Sequence, residues 1–290
     1  MSWRIVVITN RAKLDYKVGC MEIRTDKITK IHLSEISTLV IESTAVSITT
    51  SLISELVKKK IKIIFCDEKR NPICETQSYY GSHDTSAKVR EQVTWNDDVK
   101  GHVWTEIITE KIRNQARVLK HFNKPEFMQL EEYINEVEFR DETNREGHAA
   151  KVYFNAMFGM GFSRSQDIPI NAALNYGYTI ILSAVNREIV KNGYITQLGL
   201  FHDNMFNQFN LGSDLMEPFR TLIDVKVMGM NFIELEHKEK IDLISVLNDE
   251  VIIDGKRQYV NNAIAIYCRS VFDAINENDV SLIKFYKNEL

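Results

Sequence analysis

Residues 199–224, GLFHDNMFNQFNLGSDLMEPFRTLID, gather side chains of the types that do chemistry. His202 precedes a segment of helical character that carries Asp214, Glu217 and Asp224. Steps of three and seven residues put these carboxylates on roughly one helix face, with Leu215, Phe219, Leu222 and Ile223 facing inward from the other. Carboxylates clustered on one face repel unless a cation lies between them. One imidazole with several carboxylate oxygens is the donor mixture for a hard divalent ion such as Mg2+ or Mn2+. The structural alternative is an N-cap at Ser213, with Asp214 and Glu217 complementing the helix dipole and His202 bonded within its loop.

A second acid lies far upstream in TNREGHAAKVYFNAMF, residues 143–158. Thr143 and Glu146 have the spacing of a capping box. Gly147, Ala149 and Ala150 beside the acid allow close approach of a backbone or a bound group, and Tyr153 and Phe154 anchor the same helix. His148 points elsewhere on that helix and reads as structural.

The elements that must position these residues follow from periodicity. Residues 3–8, WRIVVI, form a first strand, and KLDYKVGCMEIRTD and KITKIHLSEISTLVIES alternate as an antiparallel β unit would, with a turn at Gly19-Cys20. Residues 46–60 switch to a helical period, and IKIIFCD and ICETQS make a further strand pair. YYGSHDTSA has linker composition. The boundaries expected are therefore a β-rich domain over 1–80, a linker over 81–88 and a helical domain over 89–290. Within the last, a long helix follows Asn96 or Asp97 and breaks at Lys124-Pro125, and PEFMQLEEYINEVEF forms a shorter one. IPINAALNYGYTIILSAVNREIVKNG, residues 168–193, is apolar almost all round and reads as the buried central helix, with Pro169 in its first turn and Gly193 at its end. EKIDLISVLNDEV, DGKRQYVNNAIAIYCRSVFDAINEN and a short SLIKFYKNEL complete the helices. The fold class expected is α+β.

Composition supplies the bounds. The chain has 290 residues, 44% of them hydrophobic, with 12 Gly and 4 Pro, enough for a sizeable core and too ordered for a low-complexity chain. Four scattered cysteines without a CxxC pair read as reduced thiols of a cytoplasmic protein. The N-terminus has no signal-peptide core, and no apolar run reaches membrane-spanning length. A net charge of -4 speaks against coating nucleic acid with the overall field, while leaving room for a local basic surface.

Three separated pieces, NREGHAAKVYFN, PINAALNYGY and GLFH…NQFNLGSDLMEPFRTLID, together resemble the CRISPR-associated integrase-endonuclease of the adaptation module, the first numbered Cas protein, in its type II form. The likeness extends to WRIVV, IHLSEI, IIFCD and YYGSHD. Its motif set is specific: E-G-x-A-A on a helix, then a histidine, then D-L-x-E-x-F-R. Thr221 follows that arginine where many family members carry proline, a departure that touches the helix path and no ligand.

The resemblance implies a small β-rich N-terminal domain that dimerises and a larger all-α catalytic domain. It implies Glu146, His202 and Glu217 as catalytic metal ligands for Mg2+ or Mn2+, with Asp214 as an auxiliary acid. It implies joining of the 3′-hydroxyl ends of prespacer DNA to the CRISPR leader-repeat, by transesterification. The partners implied are prespacer and leader-repeat DNA, a second copy of the chain, the small second adaptation protein in a heterohexamer, and through them other type II CRISPR proteins. Arg145, Lys151, Arg164, Arg187 and Arg220 lie near the motifs as candidate phosphate contacts, the alternative being surface charges or helix-pairing residues. Asn207, Gln208 and Asn210 either orient His202, touch DNA or cap their own loop. The competing readings are a DNA-binding scaffold without catalysis and a metal-dependent nuclease that only cuts.

Overall fold

The computed structural model describes residues 4–79, 82–231 and 233–288. Parts of the expected first strand (Trp3), linker (Tyr80, Gly81) and final helix (Glu289, Leu290) lie outside the described residues, as does Phe232. Contacts divide the chain into two compact units, Met1–His83 and Asp84–Leu290.

In the first unit, β1 (Arg4–Ile8), β2 (Ala12–Lys17), β3 (Cys20–Arg24), β4 (Ile28–His32), β5 (Ile36–Ile41) and β6 (Val46–Ile48) precede α1 (Thr50–Lys58), which is followed by β7 (Lys62–Cys66) and β8 (Pro72–Glu75). They form two four-stranded sheets, ordered β1-β5-β7-β8 and β4-β3-β2-β6. The antiparallel expectation holds for β2-β3-β4 and for β7-β8 and is corrected elsewhere: β1 runs parallel to β5, β5 to β7, and β2 to β6. The cause is connectivity: β2, β3 and β4 intervene between β1 and β5, and β6 and α1 between β5 and β7, and such crossovers return a strand in the same direction. β5 is buried along its whole length, as a continuous apolar run should be. The hairpin turn falls on Val18 and Gly19, both at positive φ, so Cys20 already starts β3. Leu14, Met21, Leu39, Leu52, Leu56 and Ile63 are fully buried together.

In the second unit, α2 (Thr85–Val93) begins inside the stretch expected as linker. Then come α3 (Asp97–His121), α4 (Phe127–Asn135), α5 (Arg145–Phe158), α6 (Pro169–Lys191), α7 (Asn210–Met216), α8 (Arg220–Gly229) and α9 (His237–Ile244). Asn96 caps α3 by accepting the Asp98 N–H at 2.7 Å. α6 is the central helix, packed against α7, α8, α9 and α10 (Val260–Glu277). The expectation of an all-α unit is corrected by a hairpin, β9 (Glu250–Ile253) with β10 (Lys256–Tyr259). Asp254 and Gly255 turn it at positive φ, which diverts the DGKRQY stretch from the helix it was expected to begin. The described part of the terminal SLIKFYKNEL, residues 281–288, likewise forms no α-helix. A single 3₁₀ turn, Val280–Leu282, is followed by extended chain whose Lys287 bridges to Ile252 of β9. No helix among the described residues is long and apolar enough to cross a membrane.

Candidate active site

Glu146 stands in the first turn of α5. Its entry is shaped by Arg140, Asp141 and Asn144, all in the left-handed region. The Asp141 carboxylate accepts the Arg145 N–H at 2.7 Å and the Glu146 N–H at 3.0 Å, and Asn144 Oδ1 accepts the Gly147 N–H at 3.3 Å. The capping box expected from Thr143 and Glu146 is therefore replaced by Asp141 and Asn144, leaving the Glu146 side chain free of capping. A Cβ on Gly147 would stand 2.7 Å from Asn144 Oδ1, so its small size accommodates the cap.

His202 lies on the loop between α6 and α7, which Asp214 holds from inside. That carboxylate is fully buried and accepts the backbone N–H groups of Leu200 (2.6 Å), Phe201 (3.1 Å) and His202 (3.2 Å). Its Oδ1 also stands 2.5 Å from His202 Nδ1. Gly199 is required there, since a Cβ would strike the His202 carbonyl and the Asp214 carboxylate. The Asp214 bond raises the His202 pKa above 6.5, aided by the charges of Asp214, Glu217 and Glu146 and opposed by burial. With Nδ1 tied to Asp214, Nε2 is the nitrogen left for a ligand.

The acid-bearing segment is not one continuous helix from Ser213. α7 starts at Asn210, Glu217–Phe219 form a 3₁₀ turn ahead of α8, and Pro218 sits inside that turn. Asp214, Glu217 and Asp224 are all at least 98% buried, as are Leu215, Phe219 and Ile223, so no acidic face is turned to solvent. Glu217 Oε1 accepts from Arg220 Nε at 2.9 Å. Burial opposes its ionisation, but Arg220 and Lys111 outweigh that and hold its pKa below the usual range.

Lys111 of α3 was not foreseen. Its ammonium lies 2.5 Å from Glu146 Oε1 and 2.5 Å from Glu217 Oε2. Burial works against this charge, and the two carboxylates reverse the effect and raise its pKa. Asp224 goes to a separate network, accepting from Tyr153 at 3.0 Å and from Tyr178. Burial lifts its pKa to about 6 against those bonds and the nearby Arg220 and Arg164. The signal for Lys111 was present in the sequence: it falls on the apolar stripe of α3 with Trp104, Ile107 and Ile108, where a lone cation requires a buried partner.

Glu146, His202 and Glu217 line one cavity of about 260 Å³, with Lys111, Arg164 and Arg220 among its other walls. Arg164 donates to Asn171 Oδ1 (2.6 Å) and Asn175 Oδ1 (2.5 Å) and lies over Tyr178; Arg220 stacks on the same ring at 4.6 Å. The other candidate cations stand elsewhere: Arg145 pairs with Glu136, Lys151 borders a different groove, and Arg187 pairs with Glu188. Asn207 and Asn210 cap their loop, through Phe209 N and Ser213 Oγ for the first and Asn204 and Gln197 for the second. The Gln208 carbonyl accepts from Thr196.

Among the described residues no three His, Cys, Asp or Glu side chains close to metal-holding distance, since Lys111 occupies the space between the two glutamates. The donor chemistry nevertheless suits a hard divalent ion. Two carboxylates and an oriented imidazole converge, and the ammonium between Glu146 Oε1 and Glu217 Oε2 marks a point where positive charge is stabilised.

Fold and site together define a two-unit α+β protein whose helical unit carries a carboxylate–imidazole pocket walled by arginines. The chain belongs to the CRISPR associated protein Cas1 family, whose model matches residues 5–238. It is 33% identical to the CRISPR-associated endonuclease Cas1 of Neisseria meningitidis serogroup C (strain 8013), over 92% of this chain and 89% of that one. A casposase bound to integration product shares the fold at TM-score 0.78 and 16% identity, over 97% of this chain and 93% of that one. A chain of a Cas6-RT-Cas1–Cas2 complex matches at TM-score 0.73 and 17% identity, over 97% of this chain and 36% of that longer one.

Proposed function

We propose that this chain is a metal-dependent DNA integrase and endonuclease of CRISPR adaptation, working in the cytoplasm. The observation that carries the reading is the convergence of Glu146, His202 and Glu217, from three separate segments, on one cavity walled by Arg164 and Arg220. The name of the Neisseria relative, an endonuclease, and the integration product in the casposase title point to the same chemistry.

Glu146, Glu217 and His202 Nε2 would hold a divalent ion, Mg2+ or Mn2+. Such an ion, when bound, supplies Lewis-acid stabilisation of charge on the phosphoryl oxygens. Asp214 keeps the imidazole in one tautomer and orientation, so that Nε2 is presented without reorganisation. Arg164 and Arg220, on the same cavity wall, take the non-bridging oxygens of the scissile phosphate. The 3′-hydroxyl of prespacer DNA attacks phosphorus in the leader-repeat strand. A new P–O bond forms to the incoming 3′ oxygen and the P–O bond to the leaving 3′ oxygen breaks. The attacking hydroxyl gives up its proton, and a proton returns to the leaving oxygen. Reversal gives disintegration of branched DNA, and water in place of the hydroxyl gives nicking.

The β-rich unit serves as the dimerisation unit, and two dimers flank a dimer of the small second adaptation protein, in keeping with the Cas1–Cas2 assembly named in the comparison structure. The test is strand transfer of a short duplex with free 3′-hydroxyls into a plasmid bearing a leader and repeat, with the small partner and Mg2+ or Mn2+. Joining is expected, and His202→Ala and Glu217→Ala abolish it. Joining that survives both substitutions overturns the site assignment, DNA binding without joining favours a scaffold, and cutting without joining favours a plain nuclease.

A further inference from the structure

A second cleft, of about 520 Å³, opens on the other side of His202. Its walls come from the start of α3 (Asp97, Lys100, Trp104), from Arg140 and from the loop carrying Phe201 and Asp203. We propose that this cleft is a nucleobase subsite, in which the base next to the reacting phosphate leaves its stack and lies on the ring of Phe201. The inference rests on the DNA-joining reading and adds to it a substrate contact.

Phe201 is half exposed, yet its position is fixed. One ring face lies on Trp104 with centroids 4.6 Å apart and planes 3° from parallel. Its backbone N–H donates to the buried Asp214, between those of Leu200 and His202 that do the same. A large aromatic held this firmly, with one face covered and half its surface exposed beside a cleft that it lines, is a platform that loses little entropy when a flat ring settles on it. The next residue is His202, which also lines the metal-ligand cavity. A base in this cleft and its phosphate in that cavity are therefore neighbours, as they are within one nucleotide.

The charges lining the cleft offset one another: Asp97 and Asp203 stand against Lys100, paired with Asp97 at 2.6 Å, and Arg140, which donates to the Asp97 carbonyl at 2.6 Å. A lining without net charge suits a neutral base better than a phosphate. Gln92, the amide in the cleft wall, is committed to the backbone of Ile195 and Leu198. Recognition is therefore by stacking, tolerant of base identity.

The experiment uses the full chain and a branched DNA of the kind strand transfer produces, without added metal so that no strand is cut. 2-Aminopurine, whose fluorescence reports stacking, replaces the nucleotide on either side of the junction in turn. One of the two positions is expected to change emission at saturation, and an abasic site there to weaken binding about tenfold. Phe201→Leu, which keeps an apolar cover over Trp104, should weaken binding of intact DNA by the same factor and leave abasic DNA unaffected. Phe201→Trp should restore both signals, and matched melting temperatures exclude misfolding. Tight binding with no emission change at either position overturns the subsite alone, as does Phe201→Leu binding intact DNA as well as the parent. Failure of the parent chain to bind branched DNA overturns the DNA reading and the subsite with it.

Discussion

At the scale of single residues, Asp214 and Asp224 are two buried acids in similar settings with opposite tasks. Asp214 orients His202 from behind, as the outer carboxylate does in many imidazole–metal pairs. Asp214→Asn is therefore expected to lower Mn2+ affinity by about 10- to 100-fold, read by calorimetry. Unchanged affinity would reduce Asp214 to a clasp for its loop. Because the His202 pKa is raised above 6.5, the proton competes with a metal ion up to a higher pH than for a free histidine. Joining should therefore fall on the acid side, and Asp214→Asn should move that fall to lower pH, which a pH–rate profile would detect.

Asp224 acts on stability instead. Its carboxyl is raised from 3.8 to about 6 in the folded chain, so the folded state holds the proton more tightly than the unfolded state does. Its contribution to stability is greatest below pH 3.8 and declines as the pH rises to 6. Asp224→Asn keeps an acceptor for a tyrosine hydroxyl and removes the buried charge. Its stability relative to the parent should improve between pH 5 and pH 8, measured by urea unfolding at both values. An advantage independent of pH would show that Asp224 acts through packing alone.

At the scale of elements, the helical unit depends on α8 packing close against α6. A Cβ on Gly177 would stand 2.5 Å from Ile223 Cγ2, so no side chain fits between the two helices. Gly177→Ala is expected to destabilise the chain by about 1–3 kcal/mol in denaturant unfolding. Adding Ile223→Val should recover part of that loss, because it trims the group in the way. The acid-bearing segment shows why helical spacing was an incomplete guide. Pro218 and the 3₁₀ turn separate α7 from α8, and Glu217 and Asp224 reach the cavity, the latter bonded to two tyrosines, while Asp214 turns to the His202 loop.

At the scale of the whole molecule, a net charge of -4 has to be reconciled with binding a polyanion. Local cations such as Arg164, held by two asparagines over Tyr178, concentrate positive charge where the acids of the site are themselves paired. DNA affinity should therefore fall steeply with salt, and Arg164→Gln should reduce the log–log salt slope by about one, in equilibrium titrations over several salt concentrations. An unaltered slope would remove Arg164 from the phosphate contacts.

The sequence by itself determined much of this. Alternation and apolar runs located most strands, the 3.6-residue period located α1 and α3, and Asn96 and Pro169 marked the starts of α3 and α6, because these are local properties of backbone and side chain. The three separated motifs already named Glu146, His202 and Glu217, which the fold brings to one cavity. Tertiary structure decided what depends on distant partners. Strand direction in the first unit followed from crossovers, the β9–β10 hairpin from a turn at Asp254-Gly255, and the end of the chain from pairing with β9. The cation between the two glutamates came from Lys111, 35 residues before Glu146, since only packing of α3 beside α5 puts them together. Phe201 became a platform only when Trp104 covered one of its faces. Spacing along a chain reports which residues share a face, and burial between elements reports which charges must meet.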